Sequence, residues 1–176
     1  MPTTQPPAVG EYPSTYADYV GRVPAGADVL DVLARQLEET SGRLAGIPEA
    51  RGGFRYAPGK WSVKEVVGHL CDVERVVVYR ALRFARGDAA PLAGFDEDAY
   101  VPEAGADARP LANLLAEWVA VRQASLAFFH NLPPGTWARR GIANGNPVTV
   151  RALAYVVAGH EHHHLEVLRT RYRLWD

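Results

Sequence analysis

Four stretches of this chain repeat apolar residues at three- and four-residue spacing, and no segment alternates convincingly as a strand. Such a pattern predicts helices that each bury one face. The first runs from about Asp28 to Ala45, with Leu30, Leu33, Leu37, Leu44 and Ile47 in one stripe ahead of Pro48. The second has the best-specified start: Ser62 is a good N-cap, Glu65 three residues on completes a capping box, and Trp61 and Val66 are placed for a hydrophobic staple. Its stripe is Val66, Leu70, Val73, Val77 and Phe84, and Gly87 is suited to end it. The third, from about Pro110 to Leu132, opens with a proline at a tolerated first-turn position and stops at Pro133 and Pro134. The fourth starts near Thr149 and continues to about Tyr172, with Leu153, Val156, His160, His164, Val167 and Arg171 on its stripe.

Amphipathic helices of this number and length pack as a bundle, so an all-α, four-helix bundle is expected over residues 27–176. Residues 1–26 are dense in Pro, Gly, Tyr and Ser and read as an irregular N-terminal arm. Residues 87–109 form a loop longer than a simple connection of two helices needs, with Phe95, Asp96, Asp98 and Tyr100 available to cover a site.

A chain of 176 residues is about one domain and needs neither disulfides nor an obligatory metal merely to fold. A net charge of -1 supplies no basic field for nucleic acid or for an anionic membrane. The longest apolar runs fall short of the ~18 to 20 residues a spanning helix requires. The single cysteine, Cys71, cannot form an internal bridge, and the start lacks the layout of a signal peptide, so a cytoplasmic protein is expected.

The histidines carry the chemistry. His69 lies among Val66, Leu70 and Val73 on the inward stripe of the second helix, while His160 and His164 occupy successive turns of the fourth. At i, i+4 spacing two imidazoles stand about 5 to 6 Å apart at Cβ and can reach one ion. A lone core histidine is satisfied by one carbonyl, but three unpartnered buried rings would cost on the order of 1 to 3 kcal/mol each. A divalent cation accepts three lone pairs at once and keeps a position open for water or substrate, the pattern of a catalytic metal. His162, about 200° from His160, faces solvent; His163 lies on the edge of the stripe; His130 reads as a helix-end residue. Cys71, about 200° from His69, reads as a packing residue.

Residues 160–164 also satisfy the H-E-x-x-H pattern of zinc peptidases, with Glu161 as base. Context opposes it, because no strand is evident to hold a peptide and little chain remains after His164 to supply a third ligand.

The stretch from Arg55 through Pro58, Lys60, Trp61, Ser62, Glu65 and His69 to Leu70, followed by Asp72, Glu74 and Arg75, resembles the second-helix signature of the DinB/YfiT-like metalloenzymes. Residues 159–164 resemble their fourth-helix signature, and the similarity extends over roughly 27–174. The resemblance implies a four-helix bundle, often a homodimer, with a divalent ion, zinc or nickel in many members, held by one histidine of the second helix and two of the fourth. Carried over, these are His69, His160 and His164, the three that periodicity selects.

For activity the resemblance implies a small-molecule enzyme, foremost a thiol-dependent S-transferase using a bacillithiol-, mycothiol- or glutathione-type cosubstrate. A three-histidine metal would depress the pKa of a bound thiol or of water, so a metal-water hydrolase of small amides or esters is the alternative, and a non-catalytic metal-binding stress protein a third. Asp72, one turn after His69, and Glu161, beside His160, are the carboxylates expected to orient an imidazole or to act as acid or base. Arg75, Arg80, Arg83 and Arg86 are expected to pair with carboxylates, one of them being available for an acidic substrate.

Overall fold

The computed structural model describes residues 5–175, so the first four residues of the expected arm, Pro2 included, and Asp176 lie outside the described residues. Its helices are α1 (Ala17–Gly21), α2 (Val29–Ala45), α3 (Val63–Ala85), α4 (Glu97–Glu103), α5 (Leu111–His130) and α6 (Val150–Thr170). The four long ones are those the periodicity predicts. The capping box forms as expected: the Glu65 N–H donates to Ser62 Oγ at 3.0 Å and the Ser62 N–H to Glu65 Oε2 at 2.7 Å. Thr149 caps α6 by accepting from the Ala152 N–H at 3.1 Å.

Going round the bundle, the neighbours are α2, α5, α3 and α6. One apolar cluster joins Leu44 at the end of α2, Val63 and Val66 at the start of α3, Leu111 and Leu114 at the start of α5, and Leu165 and Leu168 at the end of α6. The opposite cluster joins Val29 and Leu33, Phe84, Phe129 and Leu153. Two helices therefore run toward the first cluster, α2 and α6, and two run away from it, α3 and α5. Because α3 and α5 are parallel neighbours, the chain leaving α3 must travel the length of a helix, about 35 Å at 1.5 Å per residue, before α5 can begin. The 86–110 segment is that crossover, which explains its length more directly than a covering role alone. It is also not a bare loop, since it contains α4 and a 3-10 turn at Ala106–Ala108.

Two further expectations are corrected. A short antiparallel hairpin, β1 (Arg140–Ala143) with β2 (Asn146–Thr149), joins α5 to α6. Its strands are four residues long, too short for alternation to stand out, and the turn residues Asn144 and Gly145 take the positive φ values of 49° and 72° that a tight hairpin demands. The start of the crossover adds to its edge, with the Leu92 N–H donating to the Ile142 carbonyl at 2.8 Å. The N-terminal arm is not irregular throughout, because α1 packs against α6. A Cβ on Gly159 would stand 1.9 Å from the Tyr19 carbonyl oxygen, so only glycine admits this approach. Glu11 ties the arm to the start of α6, accepting from Thr149 Oγ1 at 2.9 Å and pairing with Arg151.

Among the described residues no helix is long and apolar enough to cross a membrane.

Candidate metal centre

His69 enters from α3 and His160 and His164 from α6, the antiparallel neighbour. His160 Nε2 stands 3.0 Å from His69 Nε2 and 3.1 Å from His164 Nε2, and the three ligand nitrogens lie within 4.8 Å of one another. His69 and His160 are buried, at 4% and 6% exposure, whereas His164 is half-buried and opens toward solvent. Burial, with the nearby His163 adding to it, pulls His69 down to about 4. Burial, followed by the neighbouring imidazoles, likewise holds His160 and His164 well below the ordinary histidine value. All three are thus neutral at physiological pH, with lone pairs to give.

Hydrogen bonds alone do not satisfy this cluster. A neutral ring nitrogen either carries a proton or offers a lone pair, so His160 Nε2 cannot accept from one neighbour and donate to the other. A tetrahedral ion at ~2.05 Å from each nitrogen would set them about 3.3 Å apart. The observed separations lie close to that edge, and the donor set fits a divalent cation.

The surroundings add residues that sequence periodicity missed. Trp61 lies against His69, ring centroids 4.6 Å apart, and stacks over His164 at 6.3 Å. Tyr19, carried by α1, presents its ring edge-on to His160 at 5.4 Å and to His163 at 5.8 Å. A cleft of about 280 Å³ opens beside His164, lined by Tyr56, Lys60, Trp61, Asp98, His163 and Tyr172 among others. The sequence placed Trp61 correctly as a residue preceding the cap; nothing in it showed that the indole would turn toward a histidine four turns along another helix. Asp98 is the one residue of the expected covering group Phe95, Asp96, Asp98 and Tyr100 that lines this cleft; Phe95 instead borders a narrower pocket of about 60 Å³ on the Tyr19 side of His160.

The carboxylates expected to assist are placed elsewhere. Asp72 is half-buried against Arg75 at 3.8 Å, and burial raises its pKa despite that arginine. Glu161, 1% exposed, accepts from Thr40 Oγ1 at 2.6 Å and pairs with Arg122. One residue along a helix is a 100° turn, and that turn carries Glu161 from the histidine face into the bundle interior. It is no base for chemistry at His160, and the peptidase pattern fails for the same reason. Arg75 pairs with Glu117 and Arg83 with Asp88, as expected, whereas Arg80 is engaged by a backbone group, donating to the Ala93 carbonyl at 2.9 Å. Cys71 packs beside Leu70 and Trp118, and burial pushes its thiol up to about 12, which leaves it inert. His162 is exposed and His130 is the last residue of α5, both as expected.

Comparison with known proteins agrees with this fold. No protein of curated function is significantly similar in sequence. Among solved structures, the fold is similar to YfiT from Bacillus subtilis, described as a probable metal-dependent hydrolase with an unusual four-helix bundle topology: TM-score 0.69, 19% identity, 82% of this chain and 85% of that one covered. It is also similar to the mycothiol-dependent maleylpyruvate isomerase, with a TM-score of 0.57 and 18% identity, over 78% of this chain and 58% of that chain. The family model of the DinB superfamily matches residues 32–168, a span that takes in all four bundle helices and the three converging histidines, and the chain belongs to that superfamily.

Proposed function

We propose that this protein is a metal-dependent hydrolase of small esters or amides, with His69, His160 and His164 as ligands of a divalent ion. One observation carries the reading: the three nitrogens converge at a point where the least buried of them, His164, borders an open cleft. Bound there, a divalent cation supplies Lewis-acid chemistry, drawing the pKa of water toward neutrality and polarising a carbonyl.

The remaining steps belong to the chain itself. Asp98 is the only carboxylate lining the cleft among the described residues, and its side chain has no hydrogen-bond or ion-pair partner there. It takes a proton from water as the water oxygen adds to the carbonyl carbon. It then returns that proton to the leaving oxygen or nitrogen as the bond to carbon breaks. Trp61 and Tyr19 flank the histidines on two sides and shield part of their ring surface. Water as nucleophile needs such a base, whereas a thiol with a pKa near 8.5 loses its proton readily once coordinated.

A thiol-dependent transfer is the second reading, favoured by the similarity to the mycothiol-dependent isomerase. The two separate in one experiment. Zinc- or nickel-loaded protein should turn over a chromogenic aryl ester without added thiol, and Asp98→Asn should lower kcat by about 100-fold or more at unchanged metal content. Turnover that requires a thiol and ignores Asp98→Asn would establish transfer instead.

A further inference from the structure

We propose that the cleft beside His164 recognises a small monocarboxylate carrying a planar unsaturated or aromatic group, with Lys60 as the receptor for the carboxylate. The inference deepens the hydrolase reading by naming the substrate class, and it rests on that reading for the reaction alone. The walls of the cleft are aromatic. Tyr56 and Tyr172 meet edge to face at 4.9 Å, and Trp61, in the same lining, lies against His69 and His164. The Tyr172 hydroxyl donates to the Trp61 carbonyl at 2.6 Å, so the buried Tyr172 holds the wall in place, while the more exposed rings of Tyr56 and Trp61 leave surface for a ligand. Flat apolar groups gain both area and stacking geometry on such a surface.

The polar specificity comes from what is left unpaired. Arg55, which donates to the Lys60 carbonyl at 2.9 Å, is already paired with Glu65 and Asp107. Lys60 is the exception. It lines the cleft, and among the described residues its ammonium has no hydrogen-bond or ion-pair partner. His163, the other basic residue of the lining, faces the Asp18 carboxylate, with Nδ1 4.0 Å from its oxygen, so Lys60 is the free cationic group of the cleft. Asp98, contributed by α4, places a negative charge in the same cleft, and a ligand with two carboxylates would meet it. One negative charge, directed to Lys60, is what the lining accommodates, with the scissile group left facing His164 and Asp98.

The test is binding, read separately from turnover. Calorimetric titration with 2-naphthoate and with its neutral isostere 2-naphthamide is made on metal-loaded protein and on protein stripped with a chelator, since a carboxylate also binds a metal directly. In the stripped protein, naphthoate should bind about fivefold tighter than the amide; Lys60→Gln should erase that preference and Lys60→Arg retain it, the size expected of a partly exposed charge contact. Equal binding of acid and amide by the stripped wild type, or an undiminished preference in Lys60→Gln, overturns the proposal. Charge preference that persists while ester turnover fails leaves this recognition standing and sinks the hydrolase reading.

Discussion

Two polar clusters occupy the interior of this bundle one residue apart on α6, and they are built on opposite terms. Beginning at Glu161, Arg122 of α5 donates to both oxygens of Glu74 at 2.8 Å and pairs with Glu161, which Thr40 of α2 also holds. Gln36 completes the knot by donating to the Ala158 carbonyl at 2.8 Å. All four long helices enter it, and one guanidinium is shared by both carboxylates within the protein. Beginning at His160, three neutral rings converge with one cation's worth of lone pairs to spare. Burial without partners is tolerated where an incoming ion will satisfy the group, and is otherwise removed by internal pairing.

The contrast breaks most visibly at Arg122, which is fully buried. Arg122→Met should cost about 3 to 5 kcal/mol in urea unfolding followed by circular dichroism, because it strands two carboxylates. Replacing Glu74, Arg122 and Glu161 together with apolar residues should recover most of that loss. A single Arg122→Met that costs under about 1 kcal/mol would show that the knot is not self-contained.

The histidine cluster should behave in the reverse sense. Its deletion is cheap, and occupation is what stabilises. Zinc at 100 times its dissociation constant should raise unfolding free energy by about 2.7 kcal/mol. His160→Ala should abolish that increment and the stoichiometric metal, while metal-free helicity stays near wild type. Metal content unchanged in His160→Ala would refute the ligand assignment.

The smallest effect is expected where the arm meets α6. Burial alone would raise the Glu11 pKa, but hydrogen bonds from Arg151, Thr149 and the Ala8 N–H outweigh it and leave the carboxyl below its ordinary 4.5. A depressed folded-state pKa means that the charged form contributes stability above 4.5, and that this contribution fades as pH falls through the lower folded value. Hydrogen-exchange protection of the Tyr19 region, corrected for the intrinsic rate at each pH, should therefore fall on acidification below that point in wild type, and change little with pH in Glu11→Gln. Identical pH profiles for the two would show that Glu11 does not anchor the arm.

The helices, their caps and the inward placement of the three histidines were legible in the chain itself, because they depend on local physics: a 3.6-residue repeat, an N-cap, and an i, i+4 pair are written within one turn or two of helix. The hairpin escaped because four-residue strands carry too few alternations to register. Glu161 misled for a related reason. Its neighbour in sequence belongs to the histidine cluster, but its neighbours in space are Thr40 and Arg122, from two other helices. Likewise Trp61, Tyr19 and Asp98 reach the site from a pre-helix turn, the arm and the crossover. Periodicity says which face of a rod is buried. Which rods are parallel, how far the crossover must run and which side chains it delivers to the cleft follow only from packing whole helices together, since those contacts join residues with no local relation in the chain.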